Sequence, residues 1–135
     1  MLLKDYFEQM NGTGVLATAD ANGIVNSAIY AKPHVTENGQ LVFLMRERTS
    51  YSNIRNNPAA SFMFIESGAG YKGLRLRLQK VGEEVNEQLL AEMTRSWISR
   101  DEDVALGPKH LVVFAVEQAR NLVGDGEPGL TWNPE

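Results

Sequence analysis

The chain has 135 residues, 43% of them hydrophobic, a formal net charge of −4 and no cysteine. One domain spanning residues 1–135 is expected, and the missing thiols exclude a disulfide framework, a cysteine nucleophile and a Cys-ligated metal. The acidic balance argues against a nucleic-acid surface over the whole domain, and no apolar run approaches the roughly 20 residues a membrane helix needs.

Leu2, Leu3, Tyr6, Phe7 and Met10 recur at helical spacing before Asn11-Gly12, which predicts a short amphipathic helix near residues 2–11. Lys4, Asp5 and Glu8 interrupt this stretch, unlike a signal peptide, so a cytoplasmic location without a membrane partner is expected. Residues 14–19 and 24–30 read as strands joined through Asn22-Gly23, a hairpin turn. Residues 40–45 make a third strand after the turn at Asn38-Gly39, and three antiparallel strands are expected this early. Thr49-Ser50 are expected to cap a helix that Pro58 ends, and residues 60–65 return as strand.

Three glycines in residues 67–73 precede Leu74-Arg75-Leu76-Arg77-Leu78, whose strict alternation predicts a strand with one wet face. Glu83-Glu84 are expected to open a helix with Val85, Leu89, Leu90, Met93 and Trp97 on one face. A last buried strand is expected at residues 111–116, followed by an extended tail from Asn121. Six strands joined by short turns, with helices at the periphery, predict a mainly β protein, a small antiparallel barrel.

The stretch Arg46-Glu47-Arg48-Thr49-Ser50-Tyr51-Ser52-Asn53 sets two guanidinium groups and two hydroxyls where a strand gives way to a helix. Free N–H groups, the helix dipole and arginine forks together suit a phosphate, while a capped helix with solvated arginines is the plainer reading of the same residues. With Gly14-Val15-Leu16-Ala17-Thr18, Val25-Asn26-Ser27, Leu41-Val42-Phe43 and Ser52-Asn53-Ile54-Arg55-Asn56-Asn57-Pro58, the chain resembles the pyridoxamine 5′-phosphate oxidase-like family of FMN-binding split barrels over its first two thirds. The resemblance implies a six-stranded split barrel working as a homodimer, with FMN at the subunit boundary. It also implies that Asn26, Ser27, Ala28 and Ile29 face the flavin ring, while Arg46, Arg48, Thr49, Ser50 and Asn53 hold its phosphate. Arg48-Thr49-Ser50 stands where that family often has Ser-Arg-Lys, and the longer C-terminal region with a substrate-binding arginine segment is not matched, so oxidation of the vitamin itself is not expected.

Gly68-Ala69-Gly70-Tyr71-Lys72-Gly73 lacks the Gly-Lys-Ser/Thr ending of a phosphate-binding loop and reads as a flexible connection. Tyr71 and Lys72 at its tip are candidates to reach a neighbouring subunit's flavin. Trp132 either packs on its own core or covers a flavin or a partner barrel. Arg75 and Arg77 either solubilise their face or pair across a dimer. His34 and His110 each stand alone, without the spacing of a metal site. The expected function is an FMN-dependent oxidoreductase acting on a small molecule, with a non-catalytic flavin or electron carrier as the alternative. No residue stands out as catalytic.

Overall fold

The structure, a computed structural model, describes residues 1–94 and 99–133. A single antiparallel sheet dominates it. After helix α1 (Leu3–Gln9), strands β1 (Gly12–Ala19) and β2 (Val25–Tyr30) form the hairpin, and the two-residue strand β3 (His34–Val35) leads into β4 (Leu41–Arg46). Helix α2 (Thr49–Asn56) is followed by β5 (Ala59–Glu66), β6 (Gly73–Glu84), α3 (Glu87–Met93), α4 (Arg100–Ala105) and β7 (Lys109–Asn121). The strand order is β2-β1-β5-β6-β7-β4-β3, so β2 and β3, neighbours in sequence, form the two edges of the sheet.

The hairpin has a local cause. Asp20 Oδ1 accepts from the backbone N–H of Asn22 and of Ile24, each at 2.9 Å, and Gly23 takes a φ of +82° that a side-chain-bearing residue would resist. Alternation then sorts the side chains: Leu74, Leu76 and Leu78 are buried while Arg75 and Arg77 point away. The core inside the curled sheet centres on Phe43, Phe62, Phe64 and Phe114. Phe43 meets Phe62 and Phe114 edge-on, with ring centroids 5.0 and 5.7 Å away, a favourable aromatic geometry. A smaller cluster of Val42, Leu111, Val113 and Leu89 packs α3 on the other face of β4 and β7.

Several expectations are corrected. The sheet has seven strands, the extra one being β3, and β4 pairs with β7 and β3. Glu83 and Glu84 end β6, pairing with Val112 and Leu111, and α3 starts only after Asn86, whose side chain accepts from Leu89 N–H at 3.0 Å. Val85 is consequently 98% exposed, while Trp97 lies outside the described residues. Strand β7 runs on to Asn121 because its second half pairs with Leu74–Arg77 of β6. Helix α4 was not anticipated: its cap is Ser99, which accepts from Glu102 N–H at 3.1 Å. Thr49 and Ser50 lie inside the first turn of α2, with Arg48 at the N-cap position and no side-chain bond capping the helix.

The tail closes on the N-terminal residues. Leu3 N–H donates to Thr131 C=O at 2.7 Å and Thr131 N–H to Met1 C=O at 3.1 Å. Among the described residues no helix is long and apolar enough to cross a membrane.

Candidate functional site

A cavity of about 840 Å³ opens where the two sheet edges approach each other, a volume in the usual range of about 300–1,000 Å³ for small-molecule sites. Strand β2 supplies Asn26, Ser27, Ala28, Ile29 and Tyr30, the link to β3 supplies Lys32, and β3 supplies His34. Phe43 and Phe7 give it apolar wall. At one end stand Arg46, Arg48, Thr49 and Ser50, where β4 runs into α2, and at the other the Lys4 and Glu8 side chains of α1. Val42 pairs with His34, so the four residues from Val42 to Arg46 separate the two ends by roughly 13 Å at about 3.3 Å per residue.

The α2 end has the features of an anion site. Its first helical backbone bond is Ser52 N–H to Arg48 C=O, 3.0 Å, so the N–H groups of Thr49, Ser50 and Tyr51 precede the ladder. The helix is eight residues long and carries no acidic residue in its first turn. Among the described residues Arg48 makes no ion pair, and it is exposed. The half-buried Tyr30 phenol is pushed above its ordinary range by burial, an effect that the nearby Ser50 hydroxyl and the charge of Arg48 partly oppose. Tyr30 therefore stays protonated at neutral pH on the cavity wall.

Arg46 is differently placed. Its guanidinium donates to the Asp103 carboxylate at 2.5 Å, to Asp103 C=O at 3.2 Å and to Gly107 C=O at 3.1 Å. Lys109 donates to the same carboxylate at 2.6 Å, and the two cations hold the Asp103 carboxyl below the usual carboxylate range. Arg46 borders the cavity with its charge already matched, which leaves Arg48 as the uncommitted cation at that end.

The remaining sequence candidates lie elsewhere. Asn53 is buried and its Nδ2 donates to Thr18 Oγ1 at 3.0 Å, tying α2 to β1. Trp132 packs half-buried against the main core, with its carbonyl over Gly39. Tyr71 and Lys72 border a second cavity of about 540 Å³, beside Tyr6 and Glu66, with Tyr71 83% exposed. Arg75 donates to the carbonyls of Asn121 and Gly124, and Arg77 pairs loosely with Glu117 at 3.7 Å in the same chain.

Tyr30, Lys32, Lys4 and Phe7 were not singled out as site residues. Tyr30 was the legible one, since it shares the inward period of Asn26 and Ala28. Lys32 is anchored by donating to Met10 C=O at 2.7 Å, a contact between α1 and the β2–β3 link that no local pattern announces. No group of three or more acidic or histidine side chains among the described residues is placed to hold a metal ion.

Comparison with known proteins adds the following. Residues 4–123 match the family model described as pyridoxamine 5′-phosphate oxidase. An FMN-binding protein from Syntrophomonas wolfei subsp. wolfei shares the fold at a TM-score of 0.70 and 12% identity, over 90% of this chain and 84% of that one. An F420 reductase does so at 0.63 and 16%, over 88% and 97% of the two chains. HutZ of Vibrio cholerae, described as a heme storage protein, does so at 0.59 and 21%, over 90% and 95%. At these identities the likeness is one of fold. No curated protein matches the sequence.

Proposed function

The chain belongs to the pyridoxamine 5′-phosphate oxidase family, and on that footing we propose that it binds FMN in the large cavity and acts as an FMN-dependent oxidoreductase on a small molecule. The observation that carries this reading is the meeting of β2 with the uncapped start of α2, where free N–H groups, the Ser50 and Thr49 hydroxyls and the unpaired Arg48 surround one end of the cavity. A phosphate monoester fits this chemistry, since backbone donors and the helix dipole favour an anion and an arginine fork adds charge-assisted bonds. Asn26, Ser27 and Ala28 line the wall beyond it, where polar and small side chains suit the edge of a flat heterocycle.

A bound flavin supplies the electron or hydride chemistry; the chain's own work is to orient and to exclude water. Arg48 and the α2 N–H groups fix the phosphate, the neutral Tyr30 phenol lines the wall beyond it, and Phe43 and Phe7 keep the inner wall dry. Lys32 and His34 border the far end, where a small anionic substrate would meet positive charge.

A homodimer is part of the same proposal. Ile24, Val25 and Ile29 are 66%, 78% and 67% exposed on or beside the edge strand β2, next to the cavity residues Asn26 and Ala28. An apolar strip of this kind beside a ligand cavity suits cover by a second copy.

The test is anaerobic addition of NADH or NADPH to protein loaded with FMN, followed by a panel of small acceptors. Bleaching of the flavin and steady turnover support the oxidoreductase. Tight FMN without turnover supports the carrier instead.

A further inference from the structure

His110 opens β7 on the strand face opposite to Lys109, pairing with Met45 of β4. Both of its ring nitrogens meet carboxylates: Nε2 lies 2.9 Å from Glu47 Oε2 and Nδ1 lies 3.2 Å from Glu83 Oε1. The ring also stacks on Tyr51 in the first turn of α2, with centroids 4.3 Å apart and planes 12° from parallel. Tyr51 in turn donates its hydroxyl to Glu83 Oε2 at 2.8 Å. The other charged groups around the imidazole are Lys80 of β6, 3.8 Å from Glu83 Oε2, and Arg55 of α2, over the Tyr51 ring at 5.7 Å. Neighbouring Lys109 is committed to Asp103 and Thr94 on the far side of the strand.

A neutral imidazole has one donor and one acceptor, so it can satisfy only one of two flanking carboxylates; the imidazolium donates to both. The weaker partner is clear. Glu83 keeps Tyr51 and Lys80 in either state, whereas Glu47 is half-exposed and, among the described residues, has His110 alone. Glu47 is also the residue immediately before Arg48.

We propose that His110 is a positioning residue for the anion-binding turn: as imidazolium it clamps Glu47 against Glu83 and holds Arg48, Thr49 and Ser50 in register, and as neutral imidazole it releases Glu47. Released, the Glu47 carboxylate adds negative charge beside Arg48 and competes with a phosphate for it. Binding of a phosphate-bearing ligand therefore weakens once the imidazolium gives up its proton. The step from clamp to ligand rests on the FMN reading above; the clamp itself does not.

Two measurements separate them. Amide hydrogen exchange of residues 47–50 in ligand-free protein, corrected for intrinsic pH dependence, is expected to be more protected at pH 6 than at pH 8.5 in wild type. In Glu47→Gln and His110→Gln that difference is expected to vanish. Equal protection at both pH values in wild type overturns the clamp. FMN affinity, read by flavin fluorescence at the same two pH values, then tests the consequence. FMN's own phosphate, with a second pKa of about 6, titrates alike in all variants. The expected result is a Kd ratio between pH 8.5 and pH 6 some five- to tenfold larger in wild type than in Glu47→Gln. Identical ratios overturn the proposed effect on binding. Wild type with a pH-dependent turn but no FMN binding at either pH supports the clamp and contradicts the cofactor reading alone.

Discussion

The Arg46 guanidinium and the Asp103 carboxylate lie 2.5 Å apart, and this pair joins the end of β4 to helix α4 across 57 residues of chain. It divides the two arginines that sequence alone treats as equals. Arg48→Ala should weaken FMN by about 1.5–3 kcal/mol, the worth of a charge-assisted bond. Arg46→Ala should cost less in FMN affinity and more in folding stability, because it strips three bonds from α4 and its C-terminal turn. Flavin titration and denaturant unfolding of both variants check the split, and the reverse ranking would reassign the phosphate contact to Arg46.

Asn53 should behave as a structural residue. Asn53→Ala removes the donor to buried Thr18 Oγ1 and is expected to lower stability by about 1–3 kcal/mol. Protein that remains folded should bind FMN within about threefold of wild type, since 1.4 kcal/mol corresponds to tenfold. A large loss of affinity with unchanged stability would place Asn53 at the ligand.

Stability should fall on the alkaline side. Burial raises the phenols of Tyr6 and Tyr30 above their ordinary value of 10.0, and the adjacent Glu66 carboxylate adds to the shift at Tyr6. The unfolded chain then releases these protons before the folded one, so the stabilisation is full below about pH 10 and is lost as pH rises toward the folded values. Urea midpoints measured from pH 8 to 11 should decline, and Tyr6→Phe should flatten part of that decline. An unchanged slope in the variant would remove Tyr6 from the account.

Gly39→Ala should loosen the tail. Gly39 has a φ of +80°, and a Cβ there would lie 1.5 Å from the Trp132 carbonyl oxygen, so backbone must move. The expected result is a lower melting temperature and faster proteolysis after residue 121; wild-type values for both would show that the tail does not seat on this turn.

The hairpin and the Leu74–Leu78 alternation were legible because each has a local cause: a turn residue, or a period of two that matches burial. The far halves of β6 and β7 were not. Glu83, Glu84 and, Ala119 apart, residues 117–121 are polar, and they become strand because each far half pairs with the first half of the other strand, Glu83 and Glu84 with Val112 and Leu111, and residues 118–121 with Leu74–Arg77. Helix α4 buries no residue, so no apolar stripe announced it; its Ser99 cap and the Asp103 bonds hold it instead. The two clusters singled out in the sequence, residues 26–29 and Arg46, Arg48, Thr49 and Ser50, border one cavity. Sequence alone could not show that Asp103 occupies Arg46, or that Trp132 turns back onto its own core, since both facts depend on which segments fold side by side.

The central claim is that a phosphate at the start of α2 anchors a flavin in the cavity. Incubating the purified protein with FMN or with riboflavin, desalting, and recording absorbance tests it most directly, because the two ligands differ only in that phosphate. Retained and perturbed flavin bands with FMN, and little or none with riboflavin, are the predicted result. Loss of both flavins, or equal retention of both, would contradict it.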